Sequence, residues 1–398
     1  MKIILCHNYF RERGGEDQVF EDELELLTSN GHDVTTFIKH NDDLVGAAQT
    51  LKVALSTPWN RGAAGELRDL VRETGAEVVH FHNWLPQISP AAFYAARKAG
   101  AAVVLTLHNY RWICPKGILF RDGALCEDCV GKTIPLPAVR HGCYHESKAG
   151  SAAVTAALGL HNVMKTTERV VDAFIALGNF ARDKLTETAL PADRVYLKPN
   201  FLTTDPGQGG GDGGFAMYLG RLSPEKKIDT LLEAWSKLGG TIPLKVFGGG
   251  PLTDIVERAA AQDPSIEYMG FAPNDEVIRQ LGQARALVFT SGTYEGQPKT
   301  IIEAYAKGTP VIASRFGSME DLVEHDVTGW HFAPGDSDDL ARVVREVFAT
   351  DRNLDPMRNS IRQRYLDFYT PEANHDMLID VYQKAIANRG IGIKGTAD

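Results

Sequence analysis

The 398-residue sequence has no apolar run near the roughly 18 residues that a membrane-spanning helix needs. Its opening, MKIILCHNYF, offers one lysine and a few apolar residues before His7 and Asn8. That is too short for a secretion signal and reads as a first strand, so a cytoplasmic location is expected. Base is in short supply. Lys and Arg number 42 against 51 Asp and Glu, a net charge of −9, which argues against a general nucleic-acid-binding surface. Cysteine is scarce: there are five, and in a cytosolic chain disulfides are the least expected use of them. The Gly14-Gly15 turn after the first strand is not a G-x-G-x-x-G fingerprint, so NAD binding is not indicated.

What is present is the balance of a soluble globular protein, 43% hydrophobic and 23% charged. The length exceeds one ordinary core and implies two domains. Short apolar runs without clean alternation recur between helical stretches. In the first half they are Lys2–Cys6, Val34–Lys39, Glu77–Phe81, Ala102–Leu107, Val171–Leu177 and Val195–Lys198. In the second they are Phe215–Leu219, Leu244–Phe247, Ile266–Met269, Ala286–Thr290, Pro310–Ala313 and Trp330–Phe332. Runs of this kind indicate parallel strands covered on both faces, in βαβ units. The expected fold class is therefore α/β, with two doubly wound parallel-sheet domains. Their expected limits are 1–200 and 215–370, joined by a glycine-rich linker or mobile loop at 201–214 that contains GQGGGDGG. A helix and tail at 371–398, free to pack back on the first domain, completes the chain. Ligands of such folds bind at the carboxyl ends of the strands, and the space between two such sheets is the expected site.

Three stretches carry the chemistry. In YEGQPKTIIEAYAKGTPVIAS, Glu295 precedes a helix expected from Lys299 and Glu303 lies inside it. Pro298 suits the first turn, and no acid opposes the positive end of the helix. With Lys299 and Thr300 as further donors, this opening suits a phosphate, and the two carboxylates suit the hydroxyls of a sugar and a ribose. The plainer alternative is one surface and one helix glutamate. In YLGRLSPEKKIDTLLEAW, Arg221 and Lys226 follow a strand end and suit phosphate oxygens, or are two solvated charges. In HNYFRERGGEDQVFEDELELL, Gly14 and Gly15 open a helix where backbone N–H groups can approach a ligand, or form a plain strand-to-helix turn.

In this order the stretches resemble the family 4 glycosyltransferases, with the GT-B arrangement of two facing Rossmann-like domains. The resemblance covers nearly the whole chain. It includes GHDVTTF (31–37), TLHN (106–109), GRLSPEK (220–226), FGGGP (247–251), EGQPKTIIEA and PVIASRFGSMEDLVEHDVTGWHF (310–332). It implies transfer of a hexose-type sugar from a UDP- or GDP-type donor to a glycan or lipid-linked acceptor hydroxyl, with retention of configuration. By the same resemblance, Arg221 and Lys226 bind the diphosphate and Glu303 the ribose. Glu295 and His108 stand at the donor sugar, Gly15 approaches the donor phosphate, and Gly249 belongs to the binding set. His108 alone would read as a structural strand-end histidine. No side chain is an obvious nucleophile, and the family suggests that the departing phosphate takes the acceptor's proton. No catalytic cofactor is implied, because the Arg-Lys pair stands where a metal would. Asp336-Ser337-Asp338 has the spelling of a metal motif but is read as a helix cap. A non-catalytic sugar-nucleotide or glycan binder on the same fold is the alternative, and a phosphorylase or epimerase would need a lysine or base constellation that is not seen.

Four cysteines remain, spaced Cys114-x11-Cys126-x2-Cys129-x13-Cys143 inside an insertion at about 110–148. The spacing is close to that of zinc ribbons, so structural zinc and free thiols are both open readings. Arg111, Lys116, Arg121, Lys132, Arg140 and Lys148 make the same segment basic, as a solvated face or as a contact with an anionic membrane or lipid-linked diphosphate.

Overall fold

A computed structural model describes residues 1–11, 13–43, 46–349 and 353–389. The strands are β1 (Lys2–Tyr9), β2 (Asp33–His40), β3 (Val78–Phe81), β4 (Ala102–Leu107), β5 (Phe120–Arg121), β6 (Ala124–Leu125), β7 (Ala173–Ala176), β8 (Val195–Leu197), β9 (Ala216–Leu219), β10 (Leu244–Phe247), β11 (Ile266–Gly270), β12 (Ala286–Phe289), β13 (Val311–Ser314) and β14 (Gly329–Phe332). Every apolar run singled out in the sequence is a strand. The absence of alternation has its expected cause: every residue of β3, β4, β7, β12, β13 and β14 is buried, so both faces of each strand are covered.

The chain forms two compact units. One contains residues up to Arg121, Cys126–Pro199 and the stretch from Asn374; the other contains Asp122–Leu125 and Asn200–Ala373. The first unit holds a six-stranded sheet in the order β2-β1-β3-β4-β7-β8, and the second a six-stranded sheet in the order β11-β10-β9-β12-β13-β14. The strand pairs are parallel throughout, with in-register partners such as Ile3↔Val78 and Val288↔Ile312. In the first sheet the winding reverses between β1 and β3, and in the second between β9 and β12. The crevice beyond the carboxyl ends of such a pair is where an open α/β sheet takes its ligand.

The first unit's core joins Ile3, Leu5, Phe20, Val78, Val104 and Ile175 to Leu378, Val381, Tyr382 and Ala385. The last four come from the helix Pro371–Asn388, so the chain's final helix helps to build the core of its first sheet. The second unit has one apolar layer around Leu231, Trp235, Val246, Val288 and Val344, and another around Met217, Leu287, Ile301, Tyr305, Ile361 and Tyr365. The helix Lys148–Val163, apolar on much of its surface, buries Val154, Ala157, Leu158 and His161. Among the described residues no helix is long and apolar enough to cross a membrane. Asp336 caps the helix Ser337–Val347, accepting from Asp338 N at 2.9 Å and Asp339 N at 3.0 Å, as its sequence position indicated.

Two expectations need correction. The run 207–214 is not a loose linker. Gly209, Gly211 and Gly213 donate backbone hydrogen bonds to the carbonyls of Lys307, Gly282 and Gln283, all within the second unit. Buried Arg358 gives hydrogen bonds to the carbonyls of Gly209, Gly282 and Lys307 at 3.0–3.2 Å. A Cβ on Gly209 would lie 2.3 Å from Gly282 O. The glycines permit close backbone contact here, where sequence alone suggests slack. The first strand also runs three residues past Cys6, through His7 and Asn8 to Tyr9, because β2 continues beside it as far as His40.

Candidate functional site

In the second unit the candidate residues hang from the two strands that flank the reversal. After β9 comes Gly220, then exposed Arg221, then a short 3-10 turn Pro224–Lys226. After β12 comes the loop with Ser291, Glu295 and Pro298, then the helix Lys299–Ala306. The two loops are tied together. Thr290 Oγ1 donates to Lys226 O at 2.6 Å, and Gly292 N donates to Glu225 O at 2.8 Å. Lys226 Nζ meets Glu295 Oε1 at 2.5 Å, and the same carboxylate oxygen accepts from Ser291 Oγ. Ser318 Oγ donates to Glu295 O at 2.6 Å. Lys226 and Glu295, read separately from the sequence, are thus direct partners, each half-buried.

The helix Lys299–Ala306 opens as expected. Pro298 is its N-cap in extended geometry, no side chain caps it, and its first turn carries no acid. Glu303 stands one turn in. Burial pushes its carboxyl above the usual range, with Lys299 opposing. Gln297, which the sequence reading passed over, is a brace: its side-chain oxygen accepts from Asn200 N at 2.5 Å and its backbone carbonyl from Asn200 Nδ2 at 3.1 Å.

The FGGGP turn lies directly against the Arg221 loop. Gly220 N donates to Phe247 O at 3.1 Å, and Leu222 N to Gly249 O at 2.9 Å. A Cβ on Gly248 would lie 2.0 Å from Gly220 O, and one on Gly250 would lie 2.5 Å from Leu222 O. Both glycines have positive φ, +120° and +154°. The steric demand therefore falls on Gly248 and Gly250. At Gly249, the residue singled out from sequence, the nearest atoms belong to the movable ring of Phe271.

In the first unit, Gly14 and Gly15 begin the helix Gly15–Ser29 just after β1. Gly14 N donates to Asp17 Oδ2 at 2.9 Å. A Cβ on Gly15 would meet nothing within 4 Å, so the chain's own packing does not require glycine there. The neighbouring Glu16 accepts from Asn109 Nδ2 at 2.6 Å, while its other carboxylate oxygen is buried without a hydrogen bond. Burial raises the pKa of Glu16, and Asn109 and Arg111 oppose the shift.

His108, half-buried just past β4, borders a buried polar cluster that the sequence did not reveal. Its Nε2 lies 3.0 Å from His82 Nδ1, and the two rings stack at 5.2 Å. His82 Nε2 is 3.4 Å from Glu23 Oε2. Glu23 Oε1 accepts from Lys198 Nζ at 2.6 Å, with both side chains fully buried. His80 bonds Tyr382 OH at 2.9 Å and Thr106 Oγ1 at 2.7 Å, and His7 bonds Asp17 at 2.7 Å. Burial pushes the pKa of His108 well below its ordinary value, with His82 adding to the effect. Burial likewise lowers His80 and His82. Burial opposes ionisation of Glu23, but Lys198 and the histidines outweigh it and hold the carboxyl well below the usual range. The result is one buried ion pair beside neutral imidazoles. Histidines spaced by two in VVHFHN were the available signal. Their partners lie on remote elements, Lys198 being 175 residues from Glu23.

Comparison with known proteins assigns this architecture. Over 96% of this chain and all of theirs, the crystal structure of Anabaena HepE in complex with UDP is similar, with a TM-score of 0.69 at 14% identity. The class is the GT-B fold, two Rossmann-like parallel-sheet domains. Residues 14–200 match the glycosyl transferase 4-like domain, and residues 209–364 match the glycosyl transferases group 1. The chain belongs to the GT-B glycosyltransferases. The amylovoran biosynthesis glycosyltransferase AmsK of Erwinia amylovora is 25% identical over 179 residues, 42% of this chain and 44% of that protein. The MMP alpha-(1->4)-mannosyltransferase of Mycolicibacterium hassiacum is 23% identical over 240 residues, 58% of each. The chain thus matches about half the length of these curated relatives.

Proposed function

We propose that the protein transfers a hexose-type sugar from a nucleotide-diphospho sugar to a glycan or lipid-linked acceptor hydroxyl, with retention of anomeric configuration, in polysaccharide assembly. The observation that carries this reading is the arrangement at the second sheet's reversal. Arg221, the Lys226–Glu295 pair and an acid-free helix opening all hang from the ends of β9 and β12. That is where an α/β sheet binds phosphate, with free N–H groups and cations together.

In this reading the diphosphate takes Lys226 and Arg221, and Glu295, released from Lys226, turns to the sugar hydroxyls. Glu303 holds the ribose. Charge developing on the leaving phosphate is stabilised by the two cations, so their contribution is greatest in the transition state. The departing phosphate oxygen accepts the acceptor's proton as the new glycosidic bond forms on the same face. His108 is held neutral and suits a hydrogen bond to the sugar rather than a charge interaction. The vacant space over Gly15 suits a phosphate near its backbone N–H. The UDP named with HepE and the polysaccharide named with AmsK support this donor class and pathway type.

The test is a thermal-shift titration with UDP, GDP, ADP and CMP, followed by turnover with the matching sugar nucleotide. One nucleotide at about a hundred times its Kd should stabilise the protein by about 2.7 kcal/mol. Arg221 is exposed, so Arg221→Ala should leave the unliganded Tm unchanged and lose both the shift and turnover. A shift without transfer or hydrolysis would favour a sugar-nucleotide binder, and no shift with any nucleotide would sink the donor-site assignment.

A further inference from the structure

The segment from Cys114 to Cys143 contains little regular structure: the two-residue strands β5 and β6 and the five-residue helix Pro137–His141. It is shaped instead by tight turns, with Gly117, Leu119, Asp122, Gly123, Gly131 and Gly142 all at positive φ. Such a stretch cannot form an ordinary layered core and commonly needs a staple. Four turns bring its cysteines to one place. Cys114 N donates to Tyr110 O, Cys126 N to Leu119 O and Cys143 N to Ala138 O, while Cys129 O accepts from Lys132 N. All four cysteines line a single cavity of about 20 Å³, with Pro115, Lys116, Phe120, Arg121 and Ala138 completing the wall. None of the four is in a disulfide.

We propose that Cys114, Cys126, Cys129 and Cys143 form a structural Zn²⁺ site that holds this segment together. The volume admits one water-sized occupant, which fits a single ion. The donor set is four soft thiolates, which suit zinc and would close its tetrahedral shell. A zinc tetrathiolate carries net charge of about −2. Lys116 and Arg121 on the cavity wall offset that charge, and Arg121 is held there by Asp128 at 3.0 Å. Zinc takes cysteine as the thiolate, so metal binding would release protons. Among the described residues the one group of His, Cys, Asp or Glu ligand atoms within 4.8 Å of one another is Glu23, His80 and His82. The four sulfurs are thus spread wider than an ion would hold them, and the turns must contract on binding. The more compact histidine group is not the metal site, because Lys198 already supplies its cation. A closed four-sulfur shell leaves no position for substrate, so the role is structural.

The full chain should be purified under reducing conditions without added metal and its metal content measured. We expect about one zinc per chain, released in step with mercurial titration of the thiols. Cobalt exchange should give the visible bands of a tetrahedral sulfur-ligated ion. The Cys126→Ser/Cys129→Ser variant should lose the metal, whereas Cys6→Ala should keep it. If the double variant fails to fold, the zinc release and cobalt spectrum of the unaltered protein still decide. Metal-free folded protein with four reactive thiols, disulfides among these four cysteines, or a cobalt spectrum without sulfur ligation would overturn the proposal.

Discussion

Lys198 and Glu23 make a fully buried ion pair in the first unit. Their charges meet at 2.6 Å with no solvent exposure, and neutral histidines pack around them. Removing one partner of such a pair leaves the other charge buried and uncompensated. Lys198→Met should therefore cost about 3–5 kcal/mol, read by chemical denaturation. Lys198→Met combined with Glu23→Gln should recover part of the loss, since no charge is then stranded. The histidines give a pH dependence with a definite sign. His80, His82 and His108 have folded-state pKa values below their ordinary value, so below about pH 6.5 the unfolded chain binds more protons than the folded one. His161 adds to this: burial lowers it to about 4, partly opposed by its bond to Pro58 O. Their stabilising effect is complete above pH 6.5 and is lost as pH falls toward the folded values. Glu16 and Glu303, whose pKa values are raised, act in the opposite sense, losing stability as pH rises through the carboxylate range. Between pH 7 and 5.5 the histidines should dominate and Tm should fall. A flat or rising Tm in that window would contradict the assignment of neutral buried imidazoles.

Elements in this chain are positioned by backbone contacts as much as by side chains. The turn after β10 and the loop after β9 touch backbone to backbone at Gly248 and Gly220. Gly248→Ala would force a Cβ to within 2.0 Å of a carbonyl oxygen at a φ of +120°, and should cost about 3 kcal/mol or more while displacing the Arg221 loop. Gly15→Ala offers the contrast. It should leave Tm unchanged while weakening nucleotide-sugar turnover, because the space over that residue is empty of protein. If both variants fold as stably as the parent, the steric argument at Gly248 fails. The last helix makes a third case. Leu378 is fully buried in the core of the first sheet, so Leu378→Ala should cost about 2–5 kcal/mol despite its place near the end of the chain.

At the scale of the whole molecule, the sequence determined most of the architecture. All twelve apolar runs became strands of two parallel sheets, because strands covered on both faces are predominantly apolar. The loops bearing Arg221, Lys226 and Glu295 and the helix bearing Glu303 were legible for a related reason, since strand-end glycines, an N-terminal proline and unbalanced charges are local signals. What only tertiary structure decided is where distant residues meet. It paired Lys226 with Glu295 across 69 positions and Lys198 with Glu23 across 175. It turned a glycine run that reads as slack into a close-packed seam, and it drew four cysteines from separate turns to one cavity. The physical reason is the same in each case. Periodicity and turn chemistry are set by neighbours along the chain, whereas buried charge, close backbone approach and the gathering of distant thiols depend on contacts that exist only after the sheets have formed.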